Sequence, residues 1–424
     1  MNRRPALALG IALGVAVVIG LVAARSQLRQ TPVWSTTGGV SVLWHREVGP
    51  VYGALFANDT VFAKMNGLSA LDPATGSERW QANVPNPQWL DHDGNTIYST
   101  GIFAIDAETG HIRWRADPGE GRIVAAGDRS SRRLIAACGD GDVCAFNKTG
   151  GRELWSVHVG RRVDALTVAS SMVFVGNIDG DVIGLDAVTG AEKWRARATT
   201  SIVRPPDPQM LNDIKITGLA TAQGTVYAVI AGGSAVALDA ETGNERWHWT
   251  MQKGPPPMAR TWFPGRPPVV VDGLLYVSTE YHDLFAIDAR TGHEVWRLEF
   301  AWQDRELPAS TPAAEDRPVL DFVDATTAQR NWRVETGYLR MSPIFVNDTF
   351  LVSACLNGNC SFFALDSATG EREWEVKTDG FVHDPAVTTE AIYGGTSWTR
   401  VEFPSARRSG GSIFALAVPP ERPQ

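Results

Sequence analysis

The sequence predicts an all-β fold, an eight-bladed β-propeller, from a short frame that recurs along its 424 residues. In the copy that ends at Trp296, an alternating apolar strand leads into Asp288, a Thr291-Gly292 turn and a second strand. The alternation is typical of a half-buried strand, and Gly adopts positive φ in the turn at no steric cost. Asp eight and Gly four residues before Trp recur at Asp72/Gly76/Trp80, Asp106/Gly110/Trp114, Asp186/Gly190/Trp194, Asp239/Gly243/Trp247 and Asp366/Gly370/Trp374, and Asn147/Gly151/Trp155 is a variant copy.

The spacing of the copies predicts one four-stranded blade per repeat. Successive Trp residues of the frame lie 34 to 53 positions apart between Trp80 and Trp296, which brackets the roughly 40–45 residues of a typical blade. After Trp374 three more strands follow without a final Trp strand, whereas residues 41–48 hold a lone Trp strand with no preceding turn. We therefore expect residues 41–48 to close the last blade of a propeller over residues 41–417.

Residues 301–338 are predicted to be a single long insertion rather than a further blade. They contain Thr336-Gly337, but Arg333 stands where the frame needs Asp and Met341 where it needs Trp. Long segments of this kind inside a compact fold are commonly functional or disordered.

Eight Trp residues are predicted to be structural. Each is expected to stack against the Gly-containing turn of an adjacent repeat, where a side chain on the Gly would clash. The indole N–H and the Asp carboxylate should bond to backbone groups. These residues are core positions rather than a cofactor-binding set: Trp44, Trp80, Trp114, Trp155, Trp194, Trp247, Trp296 and Trp374.

The two ends are predicted to lie outside the propeller. Arg3 and Arg4 precede an uncharged apolar run from Pro5 to Ala24, which has the length of a membrane span and the flank of an export signal. Residues 1–24 are a retained signal anchor or a cleaved signal peptide, and the length of the run favours the anchor. Residues 25–40 are expected to be a tether and residues 418–424 a tail.

The four Cys residues form two close pairs, Cys138 with Cys144 and Cys355 with Cys360. The Asn-Gly turn between the last two would place them directly opposite each other in a hairpin, within bonding reach. A zinc site is the alternative, but its Cys are usually closer in sequence and joined by further Cys or His. Two disulfides are predicted, which indicates an oxidising compartment.

No catalytic residue and no metal site is predicted. The acidic turn 139–142 lacks the spacing of an EF-hand, so a hairpin turn is favoured over a calcium loop. His282-Asp283 and His383-Asp384 suit a general base, but the absence of a Gly-x-Ser-x-Gly elbow favours structural histidines. The net charge of -8 without a basic stripe argues against nucleic acid as a partner.

Aromatic and Arg residues in the insertions are the candidate partner surface, since these side chains are enriched at binding hot spots. The alternative is that they pack over the propeller as lids. The residues are Arg260, Trp262, Phe263, Trp302 and Trp332.

The frame Ala-x-Asp-x-x-Thr-Gly-x-x-x-Trp, as in Ala70–Trp80, resembles the tryptophan-docking motif of the PQQ-like eight-bladed propellers. The resemblance covers residues 41–417 and implies the fold without selecting one activity. One branch comprises quinoprotein alcohol and glucose dehydrogenases, which hold pyrroloquinoline quinone (PQQ) and Ca²⁺ on the propeller axis. Others are the lipoprotein subunit of the outer-membrane β-barrel assembly machinery, a scaffold without cofactor, and extracellular sensor domains, some attached to membrane Ser/Thr kinases.

The sequence lacks features that are typical of two of these branches, and this decides which function we expect. The alcohol dehydrogenases typically carry a disulfide between adjacent cysteines beside the quinone, and the lipoprotein carries a lipid-anchor Cys; this sequence has neither. We expect an envelope protein, anchored by one span with the propeller outside the cytoplasm, or secreted if the signal is cleaved. It should bind a protein or small ligand at the rim or funnel without cofactor or catalysis. The alternative is a dehydrogenase dependent on PQQ and Ca²⁺.

Overall fold

The computed structural model describes the protein from Trp34 to Ala417, and the described part is entirely β-structure. No helix within it is long and apolar enough to cross a membrane. The apolar run 5–24 and the tail 418–424 lie outside the described residues. The described residues are 34–417 with the exception of 86, 88–89, 100, 117–124, 128–131, 199–214, 232, 252–266, 280–281, 303–317, 337, 340–341, 357–358 and 403–405.

The described strands form eight antiparallel sheets, which confirms the eight blades that the repeat predicts. Strands β1 (Thr36–Thr37) and β2 (Ser41–Glu47) come first in the chain and join the last two blades. Blades 1 to 4 each hold four consecutive strands. They are β3 (Ala54–Ala57), β4 (Thr60–Lys64), β5 (Leu68–Leu71) and β6 (Glu78–Ala82); β7 (Leu90–Asp93), β8 (Thr96–Ser99), β9 (Phe103–Asp106) and β10 (Ile112–Arg115); β11 (Ala125–Gly127), β12 (Arg133–Ala137), β13 (Asp142–Asn147) and β14 (Glu153–His158); and β15 (Val163–Ala169), β16 (Met172–Asn177), β17 (Asp181–Asp186) and β18 (Glu192–Arg197).

Blades 5 to 8 hold the remaining strands. Blade 5 is β19 (Ile216–Ala222), β20 (Thr225–Ile230), β21 (Ser234–Asp239) and β22 (Glu245–Thr250). Blade 6 is β23 (Val269–Val271), β24 (Leu274–Ser278), β25 (Leu284–Asp288), β26 (Glu294–Trp302), β27 (Pro318–Asp324) and β28 (Arg330–Glu335). Blade 7 is β29 (Tyr338–Leu339), β30 (Ile344–Val346), β31 (Thr349–Leu356), β32 (Asn359–Asp366) and β33 (Arg372–Thr378), and blade 8 is β34 (Phe381–Val387), β35 (Ala391–Glu402), β36 (Ala406–Gly410) and β37 (Ser412–Ala417).

Because the strands of each blade run up and down in turn, the disc has two distinct faces. On the upper face each innermost strand begins and each outermost strand ends. The lower face carries the Asp-Thr-Gly turns. The core lies between facing blades, as where Phe174 of blade 4 and Val226 and Val236 of blade 5 share one buried apolar cluster.

Strand β2 completes blade 8 from the other end of the chain. It pairs antiparallel with β37, from Ser41 opposite Ala417 to Glu47 opposite Ser412. The two ends of the propeller therefore meet in one sheet, and the outer strand of blade 8 covers an edge that would otherwise be open.

Residues 34–40, called the strap below, lie on the propeller. Strand β1 adds to the outer edge of β33 in blade 7. The backbone N–H of Trp34 donates to the carbonyl of Lys377 (2.7 Å), and the Trp34 ring stacks on His45 with 5.1 Å between centroids. The prediction of a tether over residues 25–40 is therefore corrected for its described end, residues 34–40.

Blade 6 corrects the prediction that residues 301–338 are one insertion outside the blades. Strands β27 and β28 form a hairpin on the outer edge of β26, so the blade has six strands. The frame recurs here in a form that sequence reading missed, with Asp324 eight and Ala328 four residues before Trp332. Ala328 takes φ +56°, the left-handed conformation that Gly supplies in the other copies.

Seven Trp rings among the described residues dock onto a turn of the next blade. Each ring lies over the frame Gly, where a Cβ atom would overlap the indole. The indole N–H donates to the carbonyl three residues before that Gly, at 2.7 to 3.3 Å. The pairs are Trp44/Gly76, Trp80/Gly110, Trp114/Gly151, Trp155/Gly190, Trp194/Gly243, Trp247/Gly292 and Trp332/Gly370.

Three predictions for individual Trp residues are corrected. Trp332, predicted to be part of a partner surface, is 8% exposed and docks on blade 7, because β28 is the outermost strand of blade 6. Trp296 lies inside the widened blade, with its ring centroid 5.4 Å from that of Phe322. Trp374 has no frame turn to meet in the described part of blade 8, because β2, the outer strand of that blade, comes from the other end of the chain; Trp374 instead shares a core cluster with Val40 of the strap.

The Asp of each frame organises its own turn. Oδ1 of Asp106 accepts hydrogen bonds from the backbone N–H groups of Glu108 (3.1 Å) and Thr109 (2.9 Å) and from the Thr109 hydroxyl (2.9 Å). Arg113 donates to the second oxygen at 2.6 and 3.2 Å. The Arg113 hydrogen bonds are the largest cause that lowers the pKa of Asp106 to about 2.

Both predicted disulfides are present, and they join all four cysteines of the chain. Cys138–Cys144 lies in blade 3 and Cys355–Cys360 in blade 7, both at turns of the upper face. Cys355 and Cys360 stand directly opposite each other in the pairing of β31 with β32. An oxidising compartment is consistent with both bonds.

Candidate functional site

The innermost strands of three blades carry a β-bulge near the upper face. The irregularity lies between Val163 and Ala165 in β15, between Ile216 and Gly218 in β19, and between His383 and Ala386 in β34. A bulge re-aims the side chain of the extra residue, and bulges are over-represented beside functional sites. Blades 4 and 5 are adjacent, so two bulges lie side by side, and the third lies across the ring in blade 8.

Asp164, in the bulge of β15, pairs with a cation of its own blade and with a cation of blade 5. Asp164 accepts two parallel hydrogen bonds from Arg162, Nε to Oδ1 at 2.8 Å and Nη2 to Oδ2 at 2.9 Å. Nζ of Lys215, which precedes β19, lies 3.9 Å from the same carboxylate. Bidentate pairing of this kind holds a guanidinium in one orientation as well as stabilising it.

Further ion pairs extend this cluster over blade 4. Arg161 contacts Asp179 at 3.2 Å, while Asp181 contacts both Arg195 at 3.1 Å and Arg197 at 3.9 Å. Arg195 is also held by Glu192 at 2.7 Å, and the hydrogen bond with Glu192 is the largest cause that raises the pKa of Arg195.

The turn that carries these carboxylates is itself fixed from below. The side-chain oxygen of Asn177, a fully buried residue, accepts hydrogen bonds from the backbone N–H groups of Asp179 (3.0 Å) and Asp181 (2.9 Å). The carboxylates therefore stand on a rigid turn, and the guanidiniums that they hold are positioned before any partner arrives.

In each of these pairs with an Asp the cation lies further out than the anion, whereas in the pair with Glu192 the side chain of Arg195 is 34% exposed against 40% for Glu192. The side chain of Arg162 is 41% exposed against 6% for Asp164, that of Arg197 62% against 15% for Asp181, and that of Arg161 65% against 28% for Asp179. The charges nearly balance, yet the cations are more exposed than the Asp carboxylates that hold them. We call this surface the arginine platform; its members are Arg161, Arg162, Arg195, Arg197 and Lys215.

A second polar group lies at the seam of blades 8 and 1. Lys64 contacts Asp384 at 3.4 Å, and Asp384 takes φ +32° in the bulge of β34. His383 shares a hydrogen bond of 2.7 Å with the hydroxyl of Ser397. A His–Ser hydrogen bond alone is not a nucleophile site, because acyl transfer also needs donors aimed at the developing oxyanion.

The predicted partner-surface residues are placed as follows. Arg260, Trp262 and Phe263 lie outside the described residues, and Trp302 ends β26 with its side chain outside the description. Sequence reading named none of the arginine platform. The signal available was Arg161-Arg162 followed by Asp164 at the start of an inner strand.

Two features expected of the quinoprotein branch, a metal site and a disulfide between adjacent cysteines, can be compared with the described residues. Among them, no group of three or more His, Cys, Asp or Glu side chains is placed to hold a metal ion. The two disulfides lie in blades 3 and 7, and neither joins adjacent cysteines. No chemistry through PQQ or Ca²⁺ follows from these side chains.

The fold and its tryptophan docking define a class, the PQQ-like eight-bladed β-propellers. Within that class, a family model described as Outer membrane protein assembly factor BamB matches residues 99–263 and 231–341, which together cover more than half of the chain. The chain belongs to this family.

Individual relatives agree with the family assignment. The outer membrane protein assembly factor BamB of Bordetella pertussis is 28% identical over 306 residues, which are 66% of this chain and 72% of the relative. The crystal structure of BamB from Moraxella catarrhalis has a TM-score of 0.57 at 15% identity and covers 89% of this chain and 100% of its own. Quinohemoprotein alcohol dehydrogenase ADHIIG from Pseudomonas putida HK5 has a TM-score of 0.56 at 14% identity, over 91% and 78%. At these identities the likeness of each structure to this chain shows a common fold and nothing more.

Proposed function

We propose that the chain is a scaffold of the cell envelope that binds a partner protein through the arginine platform and performs no catalysis. Membership of the BamB family supports a role in assembly, since the relatives are named as outer membrane protein assembly factors. The observation that carries the proposal is the layering of the platform, in which guanidiniums are held by Asp carboxylates that are less exposed than the guanidiniums themselves.

This layering suits recognition of carboxylates on another protein. Guanidinium forks bind carboxylates with two hydrogen bonds, and Arg is enriched at the centres of protein interfaces. Side chains that are already held lose less conformational entropy on binding, at roughly 0.5–1.5 kcal/mol for each long side chain immobilised.

The proposal includes the position of the protein in the envelope. Residues 1–24 are a retained single-pass anchor, and the propeller lies outside the cytoplasm. The uncharged run from Pro5 to Ala24 supports the anchor, and the two disulfides support the oxidising side of the membrane.

The test is site-specific photo-crosslinking in intact cells with the full chain. A photoreactive residue replaces Arg161 on the upper face or, as the control, Glu241 in a lower-face turn of blade 5. We expect a protein adduct from position 161 only. The pair of substitutions Arg162→Glu and Lys215→Glu should lower its yield about tenfold or more, since losing charge pairs at an interface costs about 2 kcal/mol or more.

Two outcomes would overturn this function. Equal adducts from positions 161 and 241, or an adduct that survives the double substitution, would remove the platform as the binding surface. If the purified full chain instead binds PQQ with Ca²⁺ saturably and its Tm rises, the alternative function, a PQQ-dependent dehydrogenase, is supported. The Pseudomonas putida enzyme shows that the same fold occurs in such a dehydrogenase.

A further inference from the structure

One buried donor group beneath the arginine platform has no partner. Nδ2 of Asn177 is closed to solvent and makes no hydrogen bond within the part of the chain that the structure describes. Its orientation is fixed, because the side-chain oxygen of the same residue accepts the backbone N–H groups of Asp179 and Asp181. Buried polar groups are nearly always hydrogen-bonded, since an unpaired buried donor is costly to the folded state. Nδ2 therefore calls for an acceptor that the described residues do not supply.

A missing side chain leaves a notch beside this donor. Gly160 lies in the link between β14 and β15, and its φ of +118° is one that L side chains rarely adopt. A Cβ atom at Gly160 would have three polar atoms as its nearest neighbours outside the adjoining residues of the chain. They are Nδ2 of Asn177 at 3.3 Å, Oδ2 of Asp179 at 3.9 Å and Nη1 of Arg195 at 4.0 Å. We call the space beside Gly160 the notch.

The outer walls of the notch are side chains in contact with solvent. That of Asp179 is 28% exposed and that of Arg195 34%. Arg195 is held by the carbonyl of Val159 at 3.1 Å. Asp179 bonds to Arg161 through Oδ1 at 3.2 Å, and its Oδ2 accepts no hydrogen bond from the described residues. A small rotation of the Asp179 side chain therefore opens the notch and brings an unpaired acceptor to the unpaired donor.

An unpaired donor beside an unpaired acceptor suits a group that carries both functions. A carboxylate could accept from Nδ2 of Asn177, but it would lie against the carboxylate of Asp179. A primary carboxamide offers an oxygen to the donor and an NH2 group to the acceptor. A main-chain amide continues as polypeptide on both sides and does not enter a space the size of one methyl group, whereas the end of a side chain does.

We propose that the notch receives the side-chain carboxamide of a Gln or Asn on the partner protein. Its oxygen accepts from Nδ2 of Asn177, and its NH2 group donates to Oδ2 of Asp179. The inference rests on the proposed function, because the arginine platform around the notch takes acidic side chains of the same partner. The binding segment of that partner therefore carries a carboxamide flanked by carboxylates.

The experiment measures the fluorescence anisotropy of labelled, capped pentapeptides added to the full chain in detergent micelles. The probes carry Gln, Glu or Ser at the centre, flanked on each side by Gly and then Asp. Asn177→Asp keeps a side-chain oxygen for the two turn bonds and replaces the unpaired donor with an acceptor. Asn147→Asp is the matched control, because Oδ1 of Asn147 likewise accepts a backbone N–H, that of Thr149 at 2.9 Å, in a turn of the lower face.

We expect the wild-type chain to bind the Gln probe about tenfold more tightly than the Glu or Ser probe, which is the effect of about one buried hydrogen bond. Asn177→Asp should lower affinity for the Gln probe about tenfold, and Asn147→Asp should leave it unchanged, with Tm measured in parallel. Asp179→Asn turns the acceptor into a donor and removes the like charge, so it should reverse the preference from Gln to Glu. A purely structural role of these side chains would not reverse a preference.

Equal affinity of the wild-type chain for the three probes refutes the carboxamide site, and so does the absence of saturable binding by any of them. A preference for Gln that persists unchanged in both Asn177→Asp and Asp179→Asn refutes it as well. The crosslink at position 161 separates this inference from the proposed function. If the adduct forms but the probes are not distinguished, the platform stands and the notch falls; if no adduct forms, both fall.

Discussion

The docking of Trp194 on Gly243 predicts a large and specific cost for one added methyl group. A Cβ atom at Gly243 would lie 2.5 Å from Cε3 and 2.7 Å from Cδ2 of Trp194, where carbon atoms in contact prefer about 3.5–4.0 Å. The ring would have to shift by about 1 Å or more, which also breaks the 3.1 Å hydrogen bond from its N–H to the carbonyl of Ala240. Gly243→Ala should therefore destabilise both the turn and the contact between blades 4 and 5.

Blade 5 supplies a matched control for the backbone term. Gly224 has φ +71° and Gly243 has φ +73°, but nothing lies within 4 Å of a Cβ atom at Gly224. Gly224→Ala should lower the free energy of unfolding by about 1–2 kcal/mol, the cost of a side chain in the left-handed region. Gly243→Ala should lower it by about 2–5 kcal/mol, because overpacking adds about 1–3 kcal/mol.

Urea unfolding followed by far-ultraviolet circular dichroism measures both variants. A double-mutant cycle with Trp194→Ala isolates the contact, since residues that touch show coupling energies of about 0.5–3 kcal/mol. In the Trp194→Ala background, Gly243→Ala should cost no more than Gly224→Ala does. Equal costs for the two Gly substitutions in the wild-type background, or an unchanged cost of Gly243→Ala without the ring, would falsify the docking argument.

Three further predictions follow from the same contacts. Trp332→Ala should lower Tm by as much as the loss of any other docked Trp, and a surface role would instead leave Tm unchanged; differential scanning calorimetry decides between these. Arg113→Gln should lower the free energy of unfolding mainly above pH 4. The pKa of Asp106 is about 2 in the folded protein against 3.8 ordinarily, so the stabilisation by its ionised carboxylate is fully present above the ordinary pKa and is lost as pH falls from about 4 to about 2. The urea midpoints of the two proteins should converge near pH 2, and a constant difference at all pH values contradicts the ion-pair account. Trp34→Ala should speed hydrogen exchange of the Lys377 amide, which donates to Ser35 in the strap, without affecting amides of blade 4, and unchanged exchange would show that Trp34 does not hold the strap.

In the arginine platform the numbers of positive and negative side chains are nearly equal, yet the two kinds of charge are not equally exposed to solvent. Asp164 and Asp181 are more deeply buried than the cations they hold, so their fields are partly enclosed by protein while the guanidiniums face water. A partner with exposed carboxylates would meet donors already oriented for bidentate bonds. The same arrangement explains why the overall charge of -8 does not describe this surface.

Sequence reading predicted the eight blades, both disulfides and six of the docked Trp residues, because each of these depends on local chemistry. The turn needs Asp at one position to accept backbone N–H groups and Gly at another to take positive φ, and both requirements are visible in the repeat. It missed the copy at Asp324–Trp332 because Ala328 stands where the frame has Gly, and only the backbone shows that Ala328 adopts φ +56°. It also predicted that Trp296 and Trp374 dock on turns of the next blade. Trp296 instead lies inside the widened blade 6, and Trp374 packs against the strap.

The sequence by itself determined the number of blades, the covalent bonds between cysteines and the rule by which one blade meets the next. These features repeat or lie within a few residues of each other, so composition and spacing are enough to specify them. The arginine platform and the strap were decided only by the tertiary structure. A bulge in β15 depends on its register with β16, the burial of Asp164 depends on the neighbouring blade, and the edge of β33 that receives the strap is more than three hundred residues away in the chain. The repeated frame predicts how residues 41–48 close the last blade, but it carries no information on these other contacts.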